Sequence, residues 1–344
     1  MEYDRRRVAF RLVVAVAIAA ALTYGVGWDS VLRNLRAADP ALYALAPLGA
    51  ALAMLVGAEG TRLALGFPSR SVRGSLARRA FFGAAIVRNL FPAGNVGGGG
   101  FVAYTVSRHE DVTVSGALAG VTSWEFVMMV ASAVIGGIGI VGLAAAGEDP
   151  TGIVRTLSAF AVLLAFSVVV VGLVSSFRDR VARVVAGFAA VAHPVLSRVS
   201  SNYDEPVTTP AVRSGLDEFF GVINALTDDR SRFAAVVLAA HATWLGWLLP
   251  LYASLLAVGL VVSPAVVMVA VTVSGFARAL PLPAGIGPVD AAMGGLLVAL
   301  TPHSVGQLAS AIVLNRAGTL LVQVTIGGAA LWTLDIAATG EVPE

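Results

Sequence analysis

The chain has 344 residues, of which 57% are hydrophobic and 13% charged, and its formal charge is +2. Soluble domains carry about 25% charged residues, so this composition argues against a water-soluble enzyme. Pro40 to Ala58, Thr156 to Phe177 and Phe233 to Ala277 contain no Asp, Glu, Lys or Arg, and a bilayer crossing takes roughly 20 such residues, which makes this a polytopic membrane protein.

Cysteine is absent, excluding disulfides, thiolate metal sites and cysteine nucleophiles. Lysine is absent too, so all 23 basic residues are Arg. The histidines, at 109, 193, 241 and 303, are not spaced as a metal pair. No metal, cofactor or nucleic-acid partner is expected.

Val8 to Val26 is apolar apart from Arg11 and follows Arg5, Arg6 and Arg7. A first span fits it better than a cleaved signal peptide, because a membrane chain follows. The second span runs from Pro40 to about Leu65 and ends in Glu59 and Arg62, one turn apart and able to pair. Ala80 to Pro92 is too short to cross. It runs into Gly94-Asn95-Val96 and Gly97 to Gly100, and a second short piece, Phe101 to Ser107, ends at Arg108-His109-Glu110-Asp111. Two such pieces around a Pro/Gly break read as a re-entrant helical hairpin. Val112 to Gly147 is a full span containing one charge, Glu125; Thr156 to Phe177 returns.

Residues 178–232 carry seven Arg and seven acids and read as a cytoplasmic segment of amphipathic helices around a loop at Ser200 to Pro210. Phe233 to about Gly259 is the next span. Pro264 opens a second hairpin, which breaks at Pro281-Leu282-Pro283-Ala284-Gly285-Ile286-Gly287-Pro288 and ends near His303. The last span, Ser304 to Leu334, contains Arg316.

The expected fold is therefore an all-α polytopic membrane protein with six full transmembrane helices plus two re-entrant hairpins, in one membrane domain over residues 1–344. Seventeen of the 23 Arg fall on one side when the N-terminus is inside, which puts both termini in the cytoplasm by the positive-inside rule.

A gapless shift of 191 residues brings Pro92-Ala93-Gly94 onto Pro283-Ala284-Gly285, Glu125 onto Arg316, and Ile135-Gly136-Gly137 onto Ile326-Gly327-Gly328. The matches define two hairpin-plus-span repeats, at 80–147 and 264–334. Three crossings separate the hairpins, so the second copy is inverted, the architecture of secondary transporters. Glu125 lies 13 residues after Val112 and Arg316 lies 13 after His303. At 1.5 Å per residue each sits about 20 Å along its helix, near the midplane.

An unpaired charge there costs about 2.5 to 3.5 kcal/mol. Two readings of Glu125 and Arg316 remain open: a structural ion pair, or groups that bind substrate or a coupling proton. Arg88 and Arg278 precede the two Pro-Ala-Gly turns, so each stands next to a hairpin tip. There Gly94, Gly97, Gly285 and Gly287 would expose backbone N–H groups at a helix start, where the dipole favours an anion. Arg plus such a tip makes a phosphate cradle; Arg88 could equally snorkel to the interface. Asp290 is read mainly as a helix cap. His241, Trp244 and Trp247 read as packing residues. Gly136-Gly137 permits close helix contact within or between protomers, leaving a homo-oligomer open.

With Arg62, Asn89-Leu90-Phe91-Pro92-Ala93-Gly94-Asn95-Val96-Gly97-Gly98, Leu280-Pro281-Leu282-Pro283-Ala284-Gly285-Ile286-Gly287-Pro288-Val289-Asp290 and Asn315-Arg316, the sequence resembles the lysylphosphatidylglycerol synthase transmembrane-region family. The resemblance extends from the first span to about Leu334. It departs in Trp124-Glu125-Phe126, which keeps the family's acid without the usual following Arg, and in Asp290, where Glu is common. The family implies flippase-like handling of a lipid with a polar head, such as aminoacylated phosphatidylglycerol or a polyprenyl-linked sugar. The synthase chemistry of bifunctional members resides in a soluble domain. This chain stops about ten residues after its last span, so a non-enzymatic translocase is expected. The alternatives are a membrane scaffold for a glycosyltransferase and a small-solute transporter.

Overall fold

The computed structural model describes residues 28–66, 72–90, 94–147, 229–279 and 287–339, with scattered positions between 176 and 228. The expected spans Val8 to Val26 and Thr156 to Phe177, most of segment 178–232 with its Ser200 to Pro210 loop, and the break at 281–286 lie outside the described residues or nearly so.

Among the described residues all regular structure is helical. The elements are α1 (Trp28–Ala37), α2 (Pro40–Tyr43), α3 (Leu45–Leu65), α4 (Gly74–Leu90), α5 (Gly94–His109), α6 (Val114–Ala145), α7 (Arg230–Ala257), α8 (Pro264–Gly275), α9 (Pro288–Leu300) and α10 (Val305–Thr339). A 3-10 turn, Phe276–Ala279, continues α8. Starts carry local signals: the Asp39 side chain accepts from Ala41 and Leu42 N–H ahead of Pro40, Thr113 caps α6 and Ser263 caps α8.

Among the described residues four stretches are long and apolar enough to cross a bilayer: Pro40–Leu65, Val114–Ala145, Arg230–Ala257 and Val305–Leu334. The protein is thus a multi-pass membrane protein. Two pairs of shorter helices that pack on each other, α4 with α5 and α8 with α9, accompany the spans.

The first pair differs from its expected outline. Its limbs are 17 and 16 residues long, and the run Gly97 to Gly100, expected in the break, lies inside α5. Glycine is a poor helix former in isolation, but packing decides here. A Cβ on Gly98 would fall 2.5 Å from Arg88 Cγ, and one on Gly99 would touch Val121 at 3.4 Å.

Helices α3 and α7 form the central seam and run antiparallel: Gly49 faces Leu249 and Pro250, Gly246 faces Ala53, and Gly57 faces Thr243. At one end Arg232 Nη1 donates to the Gly66 carbonyl at 2.6 Å. Around this seam α4 packs on α10, α8 on α6, α5 on α6 and α9 on α10. Trp124, 2% exposed, packs its six-membered ring against Gly60, where a Cβ would fall 2.1 Å from Cζ3, and belongs with Trp244, Leu251 and Met293 to the largest apolar core.

Candidate functional site

A cavity of about 610 Å³ opens between the two hairpin-bearing halves. Helix α6 contributes Trp124, Glu125, Met128 and Ser132 to its wall, and α10 contributes Asn315, Arg316, Thr319 and Gln323. Arg88 and Asn89 enter from α4, while Trp244 and Trp247 enter from α7. Trp244 is fixed by donating its indole N–H to the Met128 carbonyl at 2.8 Å. The Nδ1 atom of His241 bonds the carbonyl of Val237 within α7, a packing role.

Glu125 and Arg316 share this cavity, yet each is paired elsewhere. Arg88 Nη2 donates to Glu125 Oε1 at 2.5 Å. Arg316 donates to Asp290 Oδ1 through Nε at 3.1 Å and Nη2 at 2.7 Å. The direct Glu125–Arg316 ion pair, one of the two readings left open, thus gives way to two pairs, each joining a shorter helix to the span behind it. The hairpins bring Arg88 and Asp290 closer to those charges than the two spans bring the charges to one another. Charges at membrane depth are costly unless paired, and both sets meet that requirement.

Arg88 is held on three sides. Its guanidinium carbon lies 5.6 Å from the centroid of the Phe81 ring, its stem crosses the bare Cα of Gly98, and its Nη2 meets Glu125. Its Nε is buried without a hydrogen-bond partner among the described residues. The Glu125 side chain is 46% exposed and uses only Oε1 in this contact. Beside them Asn89 Nδ2 donates to the Ala85 carbonyl at 2.7 Å and to Gln323 Oε1 at 2.8 Å, tying the first hairpin to α10.

The expected glycine cradles fare differently. Gly94 is the first residue of α5. The nearest atom to a Cβ on Gly97 is Val87 Cγ1 at 3.6 Å, and the wall of the cavity uses Gly99 rather than Gly97. Gly287 has φ +96° and begins α9, but its N–H donates to Asp290 Oδ2 at 3.3 Å. The Gly287 N–H, one of the groups expected to meet a phosphate, thus already donates to an internal carboxylate, and Asp290 combines capping with the Arg316 contact. Gly285 and the side chain of Arg278 lie outside the described residues.

Glu59 and Arg62 pair as expected, with Arg62 Nε at 2.7 Å from Glu59 Oε1, and Arg78 joins at Glu59 Oε2, 3.0 Å. Together with Arg73–Glu110 at 2.7 Å, this clasp anchors the base of the first hairpin rather than lining the cavity. Sequence reasoning missed Asn89, Gln323, Thr319 and Gly98. The 191-residue shift carried the signal for two of them: Trp124, Glu125, Met128 and Ser132 lie 191 positions before Asn315, Arg316, Thr319 and Gln323, and all eight line the cavity. Among the described residues no group of three His, Asp or Glu stands where it could hold a metal ion. The arrangement offers two guanidiniums, one carboxylate, three side-chain amides and three indoles in one amphiphilic chamber, with Asp290 reaching it through Arg316.

Residues 8–327 match the family model described as lysylphosphatidylglycerol synthase TM region. No curated protein matches the chain.

Proposed function

The chain belongs to the lysylphosphatidylglycerol synthase transmembrane-region family, and from that premise we propose that it is a flippase-like translocase carrying an anionic lipid, or a polyprenyl-phosphate-linked sugar, across the cytoplasmic membrane. It moves the lipid rather than modifying it, with both termini in the cytoplasm and the Arg-rich side inward.

The single observation carrying this reading is the shared chamber lined at equivalent positions by α6 and α10. Three further features support an inverted repeat with re-entrant hairpins. The corresponding seam helices α3 and α7 are antiparallel. Helix α4 packs on α10 as α8 packs on α6. Each hairpin also forms an ion pair with the span behind it. Two related halves of opposite orientation can exchange roles around a fixed site, which is the basis of alternating access.

A lipid phosphate would compete with Glu125 for Arg88 and with Asp290 for Arg316, because guanidinium binds phosphate and carboxylate in the same forked geometry. The acyl or prenyl chain would stay in the bilayer while only the head group enters. Purified protein in liposomes containing a fluorescent anionic phospholipid tests this. Wild type is expected to expose inner-leaflet lipid to an external quencher, and Arg316→Ala is expected to slow that exchange. Exchange no faster than in protein-free liposomes would refute the proposal.

A further inference from the structure

We infer that Glu125 is the binding site of a coupling proton, so that one proton and one anionic head group cross together as an electroneutral symport. This rests on the translocase reading and supplies its driving ion.

The two ion pairs of the chamber are built unequally. Asp290 is filled with donors: Oδ1 accepts from Arg316 Nε and Nη2, Oδ2 accepts from the Gly287 N–H, and the side chain is 19% exposed. A proton on either oxygen would displace one of these bonds. Glu125 holds one contact, from Arg88 Nη2 to Oε1, and is 46% exposed. Its Oε2 accepts from no described residue, so a proton arriving through the chamber meets it without breaking a bond. The guanidinium opposite is equally underused, because Arg88 Nε is buried with no partner among the described residues. The Arg316–Asp290 pair is thus fixed, and the Arg88–Glu125 pair can open.

The titratable side chains that share the chamber with Glu125 are, among the described residues, Arg88 of α4 and Arg316 of α10. Glu59 and Arg62 of α3, Glu110 of α5 and His241 of α7 do not line it, and α8 and α9 line it with neutral residues. With both pairs closed the charges sum to zero, Arg88 against Glu125 and Arg316 against Asp290. A lipid phosphate entering alone would leave one net negative charge at membrane depth, where unpaired charge is costly, and would strip Glu125 of its cation. A proton taken from water onto Oε2 removes both penalties: Glu125 becomes neutral, Arg88 turns to the phosphate, and the sum is zero again. Proton and phosphate therefore raise each other's affinity by the same factor. When both leave on the far side, the Arg88–Glu125 pair re-forms and the empty chamber returns neutral.

Proteoliposomes with a trace of fluorescent phosphatidylglycerol, whose phosphodiester stays anionic, test the inference, with protein-free liposomes as the baseline. Valinomycin with equal potassium on both sides holds the membrane potential at zero. With the outside more acidic by about one pH unit, labelled lipid is expected to accumulate about tenfold in the inner leaflet, matching the proton ratio. A potassium diffusion potential without a pH gradient should leave the leaflets equal. Glu125→Gln, neutral like the protonated acid, should equalise them under the pH gradient while still exchanging lipid. The leaflet ratio is an equilibrium quantity, so a merely structural Glu125 would change the rate and keep the ratio. That result, a wild-type ratio of one, accumulation in the outer leaflet, or accumulation driven by potential alone would overturn the inference. Should the variant not fold, trapped pyranine in wild-type vesicles decides: short-chain phosphatidylglycerol added outside should acidify the lumen, and no acidification refutes the symport. If wild type moves no lipid, the translocase reading fails by itself. Short-chain phosphatidylglycerol titrated into detergent-solubilised protein, followed by tryptophan fluorescence, then tests the proton site. Affinity rising as the pH falls, by up to about tenfold per unit, supports it, and affinity independent of pH refutes it.

Discussion

Gly98→Ala isolates what holds Arg88 in place. The new Cβ would lie 2.5 Å from Arg88 Cγ, 2.7 Å from Nε and 3.1 Å from Cδ, whereas carbon atoms rest about 3.5 to 4.0 Å apart. The stem must therefore retreat by about 1 Å, which disturbs its contacts with the Phe81 ring and Glu125. Overpacking of this size costs about 1 to 3 kcal/mol, offset by about 0.5 to 1 kcal/mol because Ala is the better helix former. A net loss of roughly 0.5 to 2 kcal/mol is expected. In an Arg88→Ala background the obstacle is gone, so the same substitution should stabilise the protein by up to about 1 kcal/mol. Denaturant unfolding of the four proteins in one detergent gives the coupling energy. An equal effect of Gly98→Ala in both backgrounds would refute the argument, assigning Gly98 to helix packing alone.

Gly246→Val drives a side chain into the Ala53 backbone, 2.9 Å from its Cα. It should open the α3–α7 seam and cost at least about 1 to 3 kcal/mol, whereas Gly137→Ala, with nothing within 4 Å of its Cβ, should be tolerated; thermal unfolding of both in detergent checks the contrast. Asp290→Ala leaves Arg316 without its carboxylate and the Gly287 N–H without its acceptor. A loss of about 3 to 5 kcal/mol is expected, with much of it recovered in Asp290→Leu combined with Arg316→Met, as denaturant titration would show. Glu59→Gln weakens a clasp whose side chains are 34% to 47% exposed; its effect on the unfolding midpoint should stay below about 1 kcal/mol.

Much of the architecture was legible because bilayer physics writes itself into sequence. Long apolar runs with few or no charges marked the long helices α3, α6, α7 and α10 to within a few residues, since a charge inside them is expensive. The helix pairs α4 with α5 and α8 with α9 flank the Pro and Gly runs at which the sequence places its two breaks. Their lengths were misjudged where residues 97–100 enter α5, because local propensity argues for a break and only the close approach of Arg88 and Val121 explains the helix. In the site, sequence periodicity placed Glu125 and Arg316 at comparable depth, but it could not give their partners. Ion pairing depends on which limb swings past which span, and Arg88 and Asp290 are 37 and 26 residues away along the chain. Asn89 opens the Asn-Leu-Phe-Pro-Ala-Gly motif and follows Arg88, whereas Gln323 carries no motif and stands two turns beyond Arg316 along α10; nothing local in the sequence pairs two residues 234 apart.

The central claim is that the chamber is the path of the head group, reached from each side in turn. The cysteine-free chain permits a direct test with Thr319→Cys, since Thr319 lines the chamber and its hydroxyl, among the described residues, bonds only its own helix, at the Asn315 and Arg316 carbonyls. In proteoliposomes of known orientation, a membrane-impermeant thiol reagent should label this single cysteine whether added outside or trapped inside, and saturating substrate lipid should slow both reactions. Labelling from one face only, at every lipid composition tried, would contradict it.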